Sequence, residues 1–268
     1  MRRPTRSGPC PAGPAVLWAG LLLVVTAGCG NRFGVPEPAS EQGGEVLDLW
    51  RVLFFTAVAI GLLVTGLILW SVVRYRRRPL RSGHPGAAQG EGEPPQFRDN
   101  VRLEVFYTAV PLVIVAVLFG LTVATQRRTT KVEERPDLRV DVTGFQWGWR
   151  FHYPEADVTV VGDSNHPPTL VLPAGRTVGL ALASTDVIHS FYVPAFLDKR
   201  DVVPGEESRV DVTTTRVGRF SGLCAEFCGL DHARMSFTVD VVPRSEFEAW
   251  LAAQRQAQPR PTVPGTAQ

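Results

Sequence analysis

Cys224-Ala225-Glu226-Phe227-Cys228-Gly229-Leu230-Asp231-His232-Ala233-Arg234-Met235 brings two thiols, an imidazole and a thioether into twelve residues, at spacings of four, four and three. Sulfur and imidazole donors suit copper or zinc, and the thioether of Met235 tilts the choice towards copper. A single-copper electron-transfer site uses two histidines, one cysteine and a weak axial methionine. This stretch has one cysteine more and one histidine fewer. His189, in Asp186-Val187-Ile188-His189-Ser190-Phe191, can supply the missing imidazole. Three plainer readings stand beside this one. Cys224 and Cys228 could pair as a disulfide in an oxidising compartment. The cluster could hold a structural zinc. His189 and Met235 could serve core packing alone.

Outward from this stretch the chain is β-rich. Arg139–Thr143, Val158–Val161, Thr169–Leu172, Thr177–Ala183, Ser208–Val212 and Ser236–Val242 are short β-prone segments punctuated by Pro, Gly and Asp. That spacing predicts an all-β sandwich or barrel over residues 137–243, a length sufficient for one core. A short C-terminal helix follows over 244–257, with Ser245 as its N-cap. Residues 258–268 are Pro-rich and read as a disordered tail.

The front of the chain reads as membrane. Arg2, Arg3 and Arg6 precede an apolar run, then the small residues Thr26-Ala27-Gly28, then Cys29. This is the layout of a signal peptide over 1–28, and Cys29 stands where a lipoprotein carries its lipid anchor. A transmembrane hairpin over 46–126 is expected next, with spans at about 49–73 and 104–125; Pro111 in the second is tolerated in a membrane helix. Trp50 and Trp70 lie near the two ends of the first span, as interfacial aromatics do. Seven arginines, from Arg74 to Arg102, lie between the spans, against Arg127, Arg128, Lys131 and Arg135 after them. The excess puts the loop in the cytoplasm and both termini on the outer side of a bacterial cell membrane.

The 268 residues are 44% hydrophobic and 20% charged, too apolar for a disordered chain. A net charge of +2 gives no sign of nucleic-acid binding, and four cysteines are too few for a disulfide scaffold. The total hides unlike parts. Residues 1–136 carry 16 basic and 10 acidic side chains, whereas residues 137–243 carry 9 and 14. An acidic exported domain suits a basic partner.

His189-Ser190-Phe191-Tyr192-Val193-Pro194 together with the Cys224–Met235 stretch closely resembles subunit II of the haem–copper cytochrome c oxidases. The hairpin, Gln146-Trp147-Gly148-Trp149 and Lys199-Arg200-Asp201-Val202-Val203-Pro204-Gly205 carry the resemblance over most of residues 45–243, and Phe196-Leu197-Asp198 looks like bacterial, actinobacterial members. The resemblance implies a cupredoxin-like Greek-key barrel holding a binuclear copper centre, CuA. In it Cys224 and Cys228 bridge both ions, His189 and His232 bind one each, Met235 caps one and the Glu226 carbonyl the other. It implies that Trp147 is where electrons arrive from cytochrome c or a cytochrome c domain. Asp186 would face that basic donor, and the Glu226 side chain would share a magnesium ion with subunit I. Lys199, Arg200 and Asp201 would face subunit I and its haem propionates, and Glu104 would stand at the mouth of a proton channel. The chain would be the electron-accepting subunit of an oxidoreductase, working with subunit I, other oxidase subunits and membrane lipid, and not catalytic alone.

The sequence departs from the family pattern at three places. Gly148 stands where an aromatic residue is common, Glu206 where arginine is usual, and Tyr107 where tryptophan is common. Two other functions fit part of the pattern: a CuA subunit of a nitric oxide reductase type enzyme, and a membrane-anchored copper carrier.

Overall fold

The computed structural model describes residues 34–76 and 98–257. The expected signal peptide with Cys29, the middle of the inter-span loop and the tail from 258 lie outside the described residues.

Two long helices come first, α1 (Glu41–Arg74) and α2 (Val101–Thr129). Both are long and apolar enough to cross a membrane, and the protein is membrane-anchored. The 34 residues of α1 reach about 50 Å, well beyond a hydrocarbon core of about 30 Å. The helix therefore runs on past the expected span, and polar caps make that extension stable. The Ser40 hydroxyl accepts the Gly43 N–H at 3.1 Å. At the start of α2 the Asn100 side chain accepts the Leu103 N–H, and the Glu104 carboxylate reaches back to the Asn100 N–H at 3.3 Å. Such reciprocal caps satisfy amide groups that a helix end leaves bare.

The end of the hairpin opposite the inter-helix loop is stitched to the domain that follows. Ala39 donates its N–H to the Ala195 carbonyl and accepts the Thr215 N–H, at 2.7 and 2.9 Å. The Gln42 side-chain oxygen accepts the Thr213 N–H at 3.0 Å. Arg128 meets Glu45 at 2.8 Å across the two helices. One of the four cations that follow the second span, Arg128, is thus paired within the hairpin.

The domain after the hairpin is a sandwich of two five-stranded sheets. Its strands are β1 (Leu138–Phe145), β2 (Gly148–Tyr153), β3 (Val158–Asp163), β4 (Thr169–Pro173), β5 (Thr177–Ser184), β6 (His189–Val193), β7 (Asp198–Val202), β8 (Ser208–Thr213), β9 (Gly218–Cys224) and β10 (Ser236–Val242). One sheet has the order β3-β2-β1-β5-β8, the other β4-β10-β9-β6-β7. The β1/β5 and β4/β10 pairs are parallel; the other pairs are antiparallel. The fold is the cupredoxin-like sandwich, open at both sheet edges rather than closed as a barrel.

Period-two patterning builds the core. Trp149, Phe151 and Tyr153 of β2 point inward, as do Val178, Leu180 and Leu182 of β5 and Phe237, Val239 and Val241 of β10. Phe191 and Phe237 stack at 4.8 Å between centroids, with Trp149 edge-on to both. The C-terminal helix α3 (Arg244–Ala257) covers one end of the sandwich through Phe247 and Trp250, which pack on Tyr153. Its first bond runs from the Phe247 N–H to the Pro243 carbonyl, so Pro243 occupies the cap position and Ser245 falls inside the first turn. The expected Ser245 cap is corrected accordingly; a proline there has no N–H to leave bare.

Tyr153 also seals the edge of β4. Its hydroxyl donates to the Val171 carbonyl at 3.0 Å and accepts the Val171 N–H at 2.9 Å. Tyr153→Phe leaves both backbone groups buried without partners, at a cost of about 1–3 kcal/mol. Thermal unfolding of the detergent-solubilised chain checks this, and an unchanged midpoint refutes it.

Candidate metal centre

The end of β9 and the start of β6 meet at one end of the sandwich. Phe191 lies opposite Cys224 in the ladder, so His189 and Cys224 emerge side by side. The chain then leaves the sheet, loops through residues 225–235 and returns as β10. The loop is pinned at both ends: Ala225 donates to the Ser190 carbonyl at 3.0 Å, and Cys224 donates its N–H to the Met235 carbonyl at 2.9 Å. A turn of 3-10 helix, His232–Arg234, aims His232 and Met235 back at the cysteines.

Six donors converge there. Cys224 Sγ lies 3.8 Å from Cys228 Sγ, 3.9 Å from His189 Nδ1 and 3.2 Å from the Glu226 carbonyl oxygen. Cys228 Sγ lies 3.5 Å from His232 Nδ1 and 3.7 Å from Met235 Sδ. His189, Met235, Cys224 and Cys228 are 0%, 1%, 3% and 4% exposed, so the set is closed to water on most sides. The two sulfurs stand far beyond the bonding distance of about 2.05 Å, and both cysteines are free thiols. The disulfide reading is set aside.

Electrostatics favour a cation between the sulfurs. Burial opposes ionisation of Cys224, but hydrogen bonds from His189 and from backbone groups outweigh it and bring the thiol down to about 6. Burial and the neighbouring Cys224 charge push Cys228 up to about 12. Two adjacent buried thiolates are therefore unstable together unless a cation compensates them. The donors are soft sulfur and imidazole, with a thioether and a carbonyl beyond the four that tetrahedral zinc takes. They fit copper.

Around this set the other residues take distinct places. Trp147 is half-buried, and its indole N–H donates to the Cys228 carbonyl at 3.0 Å. Asp186, expected to face a basic donor, lies at the surface with its side chain 31% exposed, and its carboxylate also meets His189 Nε2 at 2.8 Å. Burial would raise Asp186, but the bonds from His189, Gln146 and Val187 outweigh it and hold the carboxyl below its ordinary range. Lys199 Nζ lies 3.2 Å from Asp201 and 3.8 Å from the Glu226 carboxylate, which places the three on one face beside the loop. Arg200 is turned to Asp198 at 3.2 Å. Glu104 stands apart from all of these, at the far end of the hairpin, as a helix cap. Sequence reasoning missed Gln146, whose side-chain nitrogen donates to the Cys228 carbonyl at 2.8 Å. Its position next to Trp147 was the available signal.

The chain is similar to several known proteins. The family profile of the cytochrome c oxidase subunit II periplasmic domain matches residues 164–242. The probable cytochrome c oxidase subunit 2 of Streptomyces avermitilis is 38% identical over 277 residues, covering 88% of this chain and 84% of the relative. Cytochrome c oxidase subunit 2 of Mycobacterium tuberculosis is 31% identical over 294 residues, covering 87% of this chain and 78% of the relative. A crystal structure of the periplasmic domain of subunit II of cytochrome oxidase from Bradyrhizobium japonicum covers 47% of this chain and 99% of its own length, at 29% identity and a TM-score of 0.44.

Proposed function

The chain belongs to the cytochrome c oxidase subunit II family, and from that premise we propose that its six donors hold a binuclear copper centre through which a haem–copper terminal oxidase takes electrons from cytochrome c. The observation that carries this is the convergence of two buried thiols, two imidazoles, a thioether and a carbonyl. Cys224, Cys228, His189, His232, Met235 and the Glu226 carbonyl would together hold the two ions. Bound there, the copper pair would supply one-electron redox chemistry.

The protein's own residues do the rest. The sandwich holds the ligands on two hydrogen-bonded strands and a pinned loop, so neither redox state dictates the geometry. Trp147 presents an indole surface to the donor while its N–H stays bonded to the carbonyl of a ligand residue. The acidic balance of residues 137–243 favours a basic donor. Lys199, Arg200 and Asp201 lie towards the haem-bearing subunit, and the Glu226 carboxylate takes a share of a magnesium ion there. Glu104 stands at the mouth of a proton path at the cytoplasmic end of α2. Both termini lie on the outer side, with the arginine-rich loop inside. The buried, enclosed donor set disfavours the copper-carrier reading, which needs ligands open to exchange.

Metal analysis and electron paramagnetic resonance of the intact oxidase test the binuclear site. The expected result is two coppers in this subunit and a mixed-valence signal. A single copper with a blue-copper spectrum overturns it.

A further inference from the structure

We propose that Gln146 and Asp186 are positioning residues that hold the Trp147 indole and the His189 ligand in one frame around the metal centre. The proposal rests on the copper reading of the six donors. The Asp186 carboxylate accepts three bonds: from His189 Nε2 at 2.8 Å, from the Gln146 N–H at 2.7 Å and from the Val187 N–H at 2.6 Å. Nε2 is the ring nitrogen turned away from the cysteines, so the carboxylate decides that Nδ1 faces the donor set.

Gln146 carries the frame to the other cysteine. Its backbone is tied to Asp186, and its side chain donates to the Cys228 carbonyl at 2.8 Å. The same carbonyl accepts the Trp147 indole N–H at 3.0 Å, so both its lone pairs are used. Gly229 makes this approach feasible. A Cβ there would sit 3.2 Å from both Gln146 Nε2 and the Trp147 ring, and its φ of +115° suits glycine. The contacts close a ring: Asp186 to Gln146, Gln146 to Cys228, Cys228 to Cys224, Cys224 to His189, and His189 to Asp186. A surface docking charge needs none of these bonds.

A carboxylate on the far nitrogen makes an imidazole a stronger donor to a cation, and such outer partners are typically worth about 10–100-fold in metal affinity or activity. Stronger donation favours the more oxidised metal and lowers its reduction potential.

The test uses the assembled oxidase with Asp186→Asn, which keeps the shape of the side chain, and with Gln146→Leu and Gln146→Glu, which remove the amide donor. Expected for Asp186→Asn are an upward shift of the copper midpoint potential, faster copper loss to a chelator by about 10–100-fold, and a lower kcat with KM for the donor nearly unchanged. Both Gln146 variants are expected to lower kcat with KM nearly unchanged. If Asp186→Asn alters only KM and its salt dependence, with potential and copper retention as in the wild type, Asp186 is a docking charge and the proposal is overturned. Wild-type kcat in both Gln146 variants overturns it for Gln146. A wild-type complex without copper in this subunit sinks the site reading, and the proposal with it.

Discussion

Cys224→Ser and Cys228→Ser are each expected to abolish oxidation of reduced cytochrome c by the assembled oxidase. The two sulfurs occupy the middle of the donor set, and each lies within 3.9 Å of three other donors. A serine oxygen is a hard donor that stays protonated at neutral pH, so either replacement removes a soft donor and the negative charge that the proposed copper pair needs. The remaining cysteine, two imidazoles and thioether resemble a single-copper set, which leaves one ion at most. The fold survives, because serine nearly matches the volume of cysteine and the loop stays pinned by the backbone bonds of Ala225 and Met235. Oxygen consumption with reduced cytochrome c, measured beside haem content and subunit assembly, decides the matter. Normal turnover in either variant would falsify the electron-accepting role of this site.

The second large effect is on folding. Gly148→Ala is expected to destabilise the domain by about 3 kcal/mol or more, since overpacking a filled site costs about 1–3 kcal/mol even where only side chains must move. Here backbone must move. The added Cβ would lie 2.2 Å from the Gly162 carbonyl oxygen and 2.9 Å from Asp163 Cα, besides 2.8 Å from the Phe145 ring. Gly148 pairs with Phe145 on one side and Asp163 on the other, so both ladders of β2 are disturbed together. The aromatic residue common at this position in the family has no space in this chain. The yield of folded subunit and its unfolding midpoint measure the effect; a variant as stable as the wild type refutes it.

The metal donors were legible because five of the six groups come from one twelve-residue loop, which needs no tertiary knowledge to see. His189 was added by its chemistry. The strands around them were harder. β7 is Asp-Lys-Arg-Asp-Val, and its charges look like a loop, but it is a sheet edge, where charge discourages pairing with other chains. β9 contains two glycines, which argue against a strand until Gly222 is seen beneath the Phe237 ring, where a Cβ would lie 2.1 Å from a ring carbon. β2 carries Trp149, Phe151 and Tyr153 in clean alternation, but Gly148 and Arg150 beside them weaken the β signal in the sequence. Asp186 three residues before His189 reads as a surface charge; only the fold shows its carboxylate also meeting His189. Arg128 after the second span finds its partner only when Glu45 is brought opposite it from 83 residues away.

The seam between α1 and the sandwich bears on the order of biogenesis. Ser40 and Ala39, which begin the first membrane helix, bond to Phe196, Ala195 and Thr215. Those partners leave the ribosome more than 150 residues later, long after the helix has entered the bilayer. The hairpin must therefore be inserted with this end unfinished, and the seam closes only when the last third of the chain has folded. Folding of the domain is in this sense the final step in building its own anchor.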